Sequence, residues 1–361
     1  MYFIHPQLKL SDLKRVNLPQ KLAGYFPGQK FAFTDMGRSA FKVVIEQLKL
    51  QNSEIIMPAY ICDVLYPILK HYNIKPIFID TDLKTFQLKT EDIARNISLQ
   101  TKAILVCHTY GLSADIERIK EITGNIPIIE DGAHYFGGQY RGNIAFYSLY
   151  KQFPALRGGL LVCPAGWQVK LPKTSASFRE VISFLNYFPF FAFLFKKVGR
   201  SFGNLADQMV RKEKMSEPAG LNIISQNLFA SSLISFERSL ENRKKIARLF
   251  QIELKKLGFS VQEGEENVFC FLSALVPSDL REKRDMIVEH MRRYNVFCTR
   301  IWHTPIVLNK EVQKEYGLDS KNFPQTVEIA QRVINFPLQS HYQEKDVKKM
   351  IKALTKTLKS I

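Results

Sequence analysis

The chain has 361 residues, 46% of them hydrophobic, which is length for one large domain plus a smaller one and leaves no room for long disorder. Five scattered cysteines (Cys62, Cys107, Cys163, Cys270, Cys298) form no CxxC pair and the seven histidines follow no ligand spacing, so neither a disulfide scaffold nor a metal enzyme is expected, and the pattern fits a reduced, cytoplasmic chain better. The formal charge of +17 favours anionic partners, and the first residues, MYFIHPQLKL, lack the pattern of a signal peptide.

From about residue 38 helical and extended patterns alternate. Residues 39–50 place apolar side chains at helical spacing, and EIIMP (54–58) is a short apolar strand stopped by a proline. Residues 62–73 read as helical and PIFID (76–80) as extended. A strand follows over 101–108, then a helix from Asp115 to Thr123 and a strand over 126–131. Short apolar runs separated by helices predict an α/β fold with a mostly parallel sheet between helices. Beyond residue 143 two short strands, IAFYSLY and GGLLVCP, flank Lys151. A long helix is expected from about Ser225 to Leu257. NVFCFLSALV, a basic helix over 281–293, VFCTRIW and a closing helix then suggest a smaller C-terminal α+β domain. The expected division is an N-terminal arm at 1–29, a large domain at 30–240 and a small domain at 241–361.

Three clusters could carry chemistry. Lys151 stands among apolar strand residues, where an ammonium is costly to bury unless it is paired or chemically used. A loop lysine alone is ordinarily a solvated one, but Ser148 precedes it closely and Gly158–Gly159 allow close backbone approach afterwards. Asp131, in IIEDGAH (128–134), ends a predicted buried strand, where α/β sheets place ligand contacts; taken singly it reads as a turn aspartate and His134 as a core histidine. Gly37, Arg38 and Ser39 open a predicted helix, whose free amides would receive a phosphate or serve as a plain helix start.

The order of these clusters is more specific than any one of them. The chain resembles the DegT/StrS family of fold-type-I, pyridoxal-phosphate (PLP) dependent sugar aminotransferases. The likeness runs through GRSAF, EIIMPAYICDVLYPIL, KPIFIDTDLKTFQL, TKAILVCHTYGLSADIERI, IIEDGAHYFGGQYRG and KQFPALRGG to the tail at 322–354. The resemblance implies that Lys151 holds PLP as a Schiff base and that Asp131 pairs with the pyridine nitrogen. It implies a ring or phenolic-oxygen contact for His134 and phosphate contacts for Gly37, Arg38 and Ser39. Gly220-Leu221-Asn222 resembles the family's G-x-N turn, whose asparagine reaches the cofactor phosphate of a partner subunit, which implies a homodimer. The family's amino donor is an amino acid such as glutamate and its acceptor a nucleotide-linked keto sugar of polysaccharide or related biosynthesis.

The departures are local. Where the family has a serine five positions before the lysine this chain has Phe146, with Ser148 three before; an arginine expected two residues after the G-x-N turn is Ile224. Cys62 replaces the usual aromatic over the cofactor, leaving Tyr60, His108 or His134 for that work. Arg300, Trp302 and His303 are candidates for holding the sugar diphosphate, with a structural loop role as the plainer expectation. The apolar insertion 177–202, bordered by Lys196, Lys197 and Arg200, is shorter than the roughly 20 residues of a spanning helix. It is expected either as a buried flap or dimer contact or as a peripheral contact with anionic lipid. A dehydratase on the same fold is the nearest alternative, and Lys151 argues against its lysine-to-histidine members. A regulatory or nucleic-acid-binding scaffold is the other, and no nucleic-acid-binding motif supports it.

Overall fold

The structure, a computed structural model, describes residues 2, 17–141, 144–155, 157–176, 188, 190 and 216–361. Among them are ten strands: β1 (Lys30–Thr34), β2 (Glu54–Pro58), β3 (Lys75–Ile79), β4 (Thr101–Cys107), β5 (Ile128–Asp131), β6 (Ile144–Ser148), β7 (Gly159–Cys163), β8 (Ser260–Val261), β9 (Leu272–Leu275) and β10 (Val333–Phe336). The chain divides into two compact units. One comprises Met1–Ile4, Asn52–Gly142 and Glu237–Ile361, the other His5–Gln51 and Asn143–Phe236.

In the first unit β2 pairs in parallel with β3 and β4, and β4 with β5. Every residue of β2 is buried, as is β4 apart from Lys102, which explains why both read as unbroken apolar runs rather than alternating ones. The helices Tyr66–His71 and Ile116–Thr123 carry the chain back between parallel strands, the second capped by the Asp115 carboxylate on the Arg118 N–H. The C-terminal residues of this unit form the expected α+β arrangement. The antiparallel β8, β9 and β10 share a core with the helices Phe236–Lys256, Arg284–Arg293 and Glu344–Lys359, built from Phe250, Leu254, Leu272, Ile287, Phe336 and Met350. Each such side chain contributes about 1.5–3 kcal/mol by leaving water. Asp80, just past β3, binds the two parts: its carboxylate accepts from the Gln325 N–H (3.1 Å), the Thr326 N–H (2.9 Å) and the Thr326 hydroxyl (2.8 Å), capping the helix Pro324–Arg332.

In the second unit β7 lies between β1 and β6, antiparallel to both. The helix Gly37–Gln47 packs on β6 and β7, with Phe41 against Phe146 at 5.4 Å between ring centres. Gly159 sets how closely they meet. A Cβ there would overlap the Met36 carbonyl oxygen and the Thr34 hydroxyl.

Two expectations need correction. The long helix predicted over 225–257 is two, Ile223–Ser232 and Phe236–Lys256. The Ser231 and Ser232 hydroxyls donate back to the Asn227 and Leu228 carbonyls, both at 2.8 Å, a local bonding that weakens and bends a helix near its end. VFCTRIW forms no strand; Thr299 makes a single bridge to Asn335. The insertion 177–202 lies, apart from Phe188 and Phe190, outside the described residues. Among the described residues no helix is long and apolar enough to cross a membrane.

Gly159→Ala is expected to lower the stability of the chain by about 3 kcal/mol, because both overlapping atoms belong to tightly held backbone or a short side chain. A denaturant midpoint unchanged from wild type would contradict the close approach.

Candidate functional site

Of the predicted residues of the second unit, Gly37, Arg38 and Ser39 open the helix Gly37–Gln47, and Ser148 lies beside its first turn. Its N-cap, Met36, makes no side-chain hydrogen bond to the opening turn. The Met36 carbonyl is held from three sides, by the Thr34 hydroxyl (2.7 Å) and the N–H groups of Ser39 (3.1 Å) and Ala40 (3.2 Å). A side chain at Gly37 would stand 3.2 Å from the Tyr147 carbonyl oxygen and 3.5 Å from the Ser148 Cβ. On β6 residues two apart share a face, so Phe146 covers Phe41 in the second helical turn while Ser148 meets the first. That accounts for the exchange seen in the sequence. The serine nearest the helix opening is Ser148, and Phe146 is core.

Lys151 follows on the one-turn helix Leu149–Gln152 and is half-buried. Its loop is closed by the Leu149 N–H on the Gly158 carbonyl (2.9 Å), and the bare Cα of Gly158, at φ +142°, lets Leu149 and Leu221 pack against it. Arg157 forms an ion pair with Asp35 at 2.7 Å and also donates to its carbonyl. Arg38 is half-buried and Ser39 buried. One turn beyond Arg38, Lys42 is buried and donates to the Ser216 carbonyl at 2.5 Å; burial and the nearby Arg38 guanidinium lower its pKa. Asn222 is buried too. Its side-chain oxygen caps the Ser225 N–H (2.9 Å), while its amide nitrogen has no partner among the described residues.

In the first unit Asp131 closes β5, buried, with Oδ1 accepting from the Ala133 N–H at 2.9 Å and its carbonyl accepting from the His108 N–H at 3.1 Å. His134 is buried, and the Tyr110 N–H donates to its Nδ1 (3.3 Å), which leaves the ring proton on Nε2. Trp302 lies over both, stacked on Tyr110 at 5.5 Å and tilted on His134 at 4.8 Å. Trp302 and Tyr110 both take left-handed backbone, at φ 59° and 58°, so the loop holding Trp302 does more than close a chain. No sequence signal marked Trp302 as His134's neighbour. Tyr110 was legible only as a residue just past a buried strand, where such sheets place their ligand contacts.

Two of the three candidates for the missing ring are engaged elsewhere. Tyr60 is wholly buried with its hydroxyl on that of Tyr110 (2.6 Å), which in turn donates to the Ile301 carbonyl (2.5 Å). Burial raises the pKa of both phenols. His108 is stacked on Tyr135 at 4.2 Å. Its Nδ1 accepts from the Ala114 N–H (3.0 Å), so its Nε2–H donates to Glu130 (2.9 Å). Of the three, His134 alone joins the Trp302 stack through its ring face. Arg300 pairs with Asp285, and His303 is exposed.

Comparison with known proteins gives a consistent picture. The model of the DegT/DnrJ/EryC1/StrS aminotransferase family matches residues 14–355. The UDP-2-acetamido-2-deoxy-3-oxo-D-glucuronate aminotransferase of Pseudomonas aeruginosa is 23% identical over 339 residues, covering 91% of this chain and 87% of that protein. The GDP-4-keto-6-deoxy-D-mannose 3-dehydratase of Escherichia coli O55:H7 is 25% identical over 299 residues, covering 75% of this chain and 72% of that protein. NtdA of Bacillus subtilis, solved with the cofactor PMP bound, superposes with a TM-score of 0.72 at 18% identity, over 96% of this chain and 78% of that one, a likeness of fold.

The turn carrying Asp131 and His134 is locked at its far end. Tyr135 and the Gln139 N–H donate to Glu266, which also pairs with Arg141 at 2.7 Å. Burial alone would raise the Glu266 pKa, but the bonds from Tyr135, Gln139 and Arg141 outweigh it and the net shift is downward. A lowered carboxylate stabilises the fold above its unfolded pKa and loses that contribution as pH falls through the folded value. Glu266→Gln should therefore cost about 1 kcal/mol at pH 7, the figure discounted for partial exposure. The difference should close in chemical denaturation carried out below about pH 4. A gap that persists in acid would contradict the ionic origin of the lock.

Proposed function

Because the chain belongs to the DegT/DnrJ/EryC1/StrS aminotransferase family, we propose that it transfers an amino group from an amino acid, glutamate, to a keto group on a nucleotide-linked sugar, with PLP as cofactor. The observation that supports this most is Lys151 on a clamped one-turn helix directly after Ser148, which itself meets the uncapped opening at Gly37. The substrate class follows the names of the Pseudomonas and Escherichia relatives, which carry UDP- and GDP-linked oxo sugars.

The residues fit the cofactor. A helix opening at Gly37 that has no side-chain cap, with the Ser148 hydroxyl beside it, suits a phosphate dianion, and Arg38 and Ser39 belong to the same turn. The unpartnered, buried amide of Asn222 is a donor of the kind a phosphate oxygen accepts. Bound PLP supplies an aldehyde that captures amines and an electron-poor ring that draws charge from the adjacent carbon. Asp131, pinned through Oδ1, keeps a proton on the pyridine nitrogen. His134 would either donate Nε2–H to the phenolic oxygen or pack on the ring. Lys151 would hold the cofactor through Nζ and would move a proton at the donor's α-carbon. Trp302 packs on the His134 ring, tilted, at 4.8 Å between ring centres.

A homodimer, with Asn222 serving the neighbouring subunit, rests on the G-x-N resemblance. A cytoplasmic setting rests on the scattered cysteines, and a peripheral lipid contact through 177–202, with a buried flap or dimer contact as the alternative, on the composition of that segment and the charge of +17. Lys151 argues against those dehydratases of this fold that carry histidine in place of the lysine.

Addition of PLP to the purified protein is expected to give a visible absorption band that is absent in Lys151→Ala. Wild type with glutamate and a panel of nucleotide keto sugars should yield an amino sugar, reduced at least about 10³-fold in the variant. A wild-type protein without the band, or a variant that retains it, overturns the assignment.

A further inference from the structure

In the second unit one ion pair joins the helix opening to the lysine loop. Asp35 stands between β1 and Met36, two residues before Gly37, and Arg157 stands at the end of the loop, directly before Gly158. The guanidinium grips Asp35 at two points. It donates to the carboxylate Oδ2 at 2.7 Å and, through Nε, to the Asp35 carbonyl at 3.2 Å. Main chain already ties the same segments, since Met36 bridges to Gly158 and Thr34 pairs with Gly159. The side-chain pair therefore adds charge to a junction that the backbone makes without it.

That charge is in an unfavourable place. Asp35 is 6% exposed, and its Oδ1, shielded from solvent, accepts no hydrogen bond among the described residues. The field of a buried carboxylate is screened far less than that of a surface one. Yet this carboxylate precedes, by two residues, the turn at which a phosphate dianion would sit. Lys42, one turn further along the helix, does not answer it alone, for its ammonium donates to the Ser216 carbonyl and is shared electrostatically with Glu46 and Glu217. The cation in direct contact with Asp35 is Arg157.

We propose that Arg157 is the counter-ion that makes this turn fit for a phosphate. By neutralising Asp35 it removes the repulsion that a buried carboxylate would exert on the dianion, and so sets how strongly the protein prefers PLP to the same aldehyde without its phosphate. Arg157 is a positioning residue in this role, acting through Asp35. The inference rests on the transaminase reading and on Gly37 as the place of the phosphate.

Spectral titration of the full-length protein with PLP and with pyridoxal, which lacks the phosphate, tests it. The quantity read is the ratio of the two affinities, because a general disturbance of the fold lowers both and leaves the ratio alone. Arg157→Gln is expected to lower the ratio at least about tenfold. Asp35→Asn should keep it at or above the wild-type value, and the double variant Asp35→Asn/Arg157→Gln should return it to within about threefold of wild type. Arg157→Gln leaves a buried carboxylate alone, which is strongly destabilising. If it fails to fold, Asp35→Asn must exceed the double variant in ratio by at least about threefold, both being free of that carboxylate. A ratio unchanged in Arg157→Gln, a double variant as low as Arg157→Gln, or, where that variant does not fold, Asp35→Asn equal to the double variant would each overturn the proposal while leaving the transaminase reading intact. A wild type that forms no imine with PLP overturns both.

Discussion

The bare backbone at Gly158 and Gly159 is the constraint on which the candidate site depends. With no Cβ at Gly159, the Met36 carbonyl can sit against β7, and the helix beginning at Gly37 starts directly beside the end of β6. With none at Gly158, the two leucines close over the base of the lysine loop. The same contact therefore sets where the helix at Gly37 opens, beside Ser148, and where the lysine loop closes. A phosphate dianion at a helix opening is favoured by the amide donors and the helix dipole together. Lys151 is carried on a one-turn helix that directly follows Ser148, a short element of the kind that suits a nucleophile meeting a fixed aldehyde.

The residues of the other unit are fixed by a different means. Asp131 and His134 each accept a backbone N–H, from Ala133 and Tyr110, so their remaining atoms are oriented by main chain instead of by mobile side chains. Aromatic packing then encloses them. The Tyr60–Tyr110–Ile301 chain of hydrogen bonds lies in a fully buried setting, where both phenols stay protonated, and Trp302 completes the wall over His134. Removing one ring from such a stack costs both dispersion contacts and the orientation of its neighbours. Below Asp131, the His108–Glu130 pair is likewise buried and holds the loop after β4.

Much of this was legible in the sequence because it depends on local pattern. The buried parallel strands are continuous apolar runs, and β2 ends at the proline that marks it in the sequence. The helix opening at Gly37 and the strand-end position of Asp131 also follow from near neighbours. What escaped depends on distant partners. Cys62 pointed to a missing ring without saying which residue would supply it, and only the fold shows that Tyr60 and His108 are enclosed while Trp302, some 170 residues beyond His134, reaches it. The helix predicted over 225–257 has continuous helical periodicity, and its break comes from serine hydroxyls competing for backbone carbonyls, which periodicity does not register. The exchange of Phe146 and Ser148 was visible as a departure, but its meaning required the strand face on which both lie.

The central claim is that one particular amine, among the many lysines of a strongly basic chain, carries the cofactor. Its most direct test is to load the protein with PLP, reduce it with borohydride so that the carbon–nitrogen link becomes permanent, and map the modified peptide by mass spectrometry. The account predicts stoichiometric pyridoxyl on the peptide containing Lys151. Label confined to another lysine, or spread across surface lysines without preference, would contradict it.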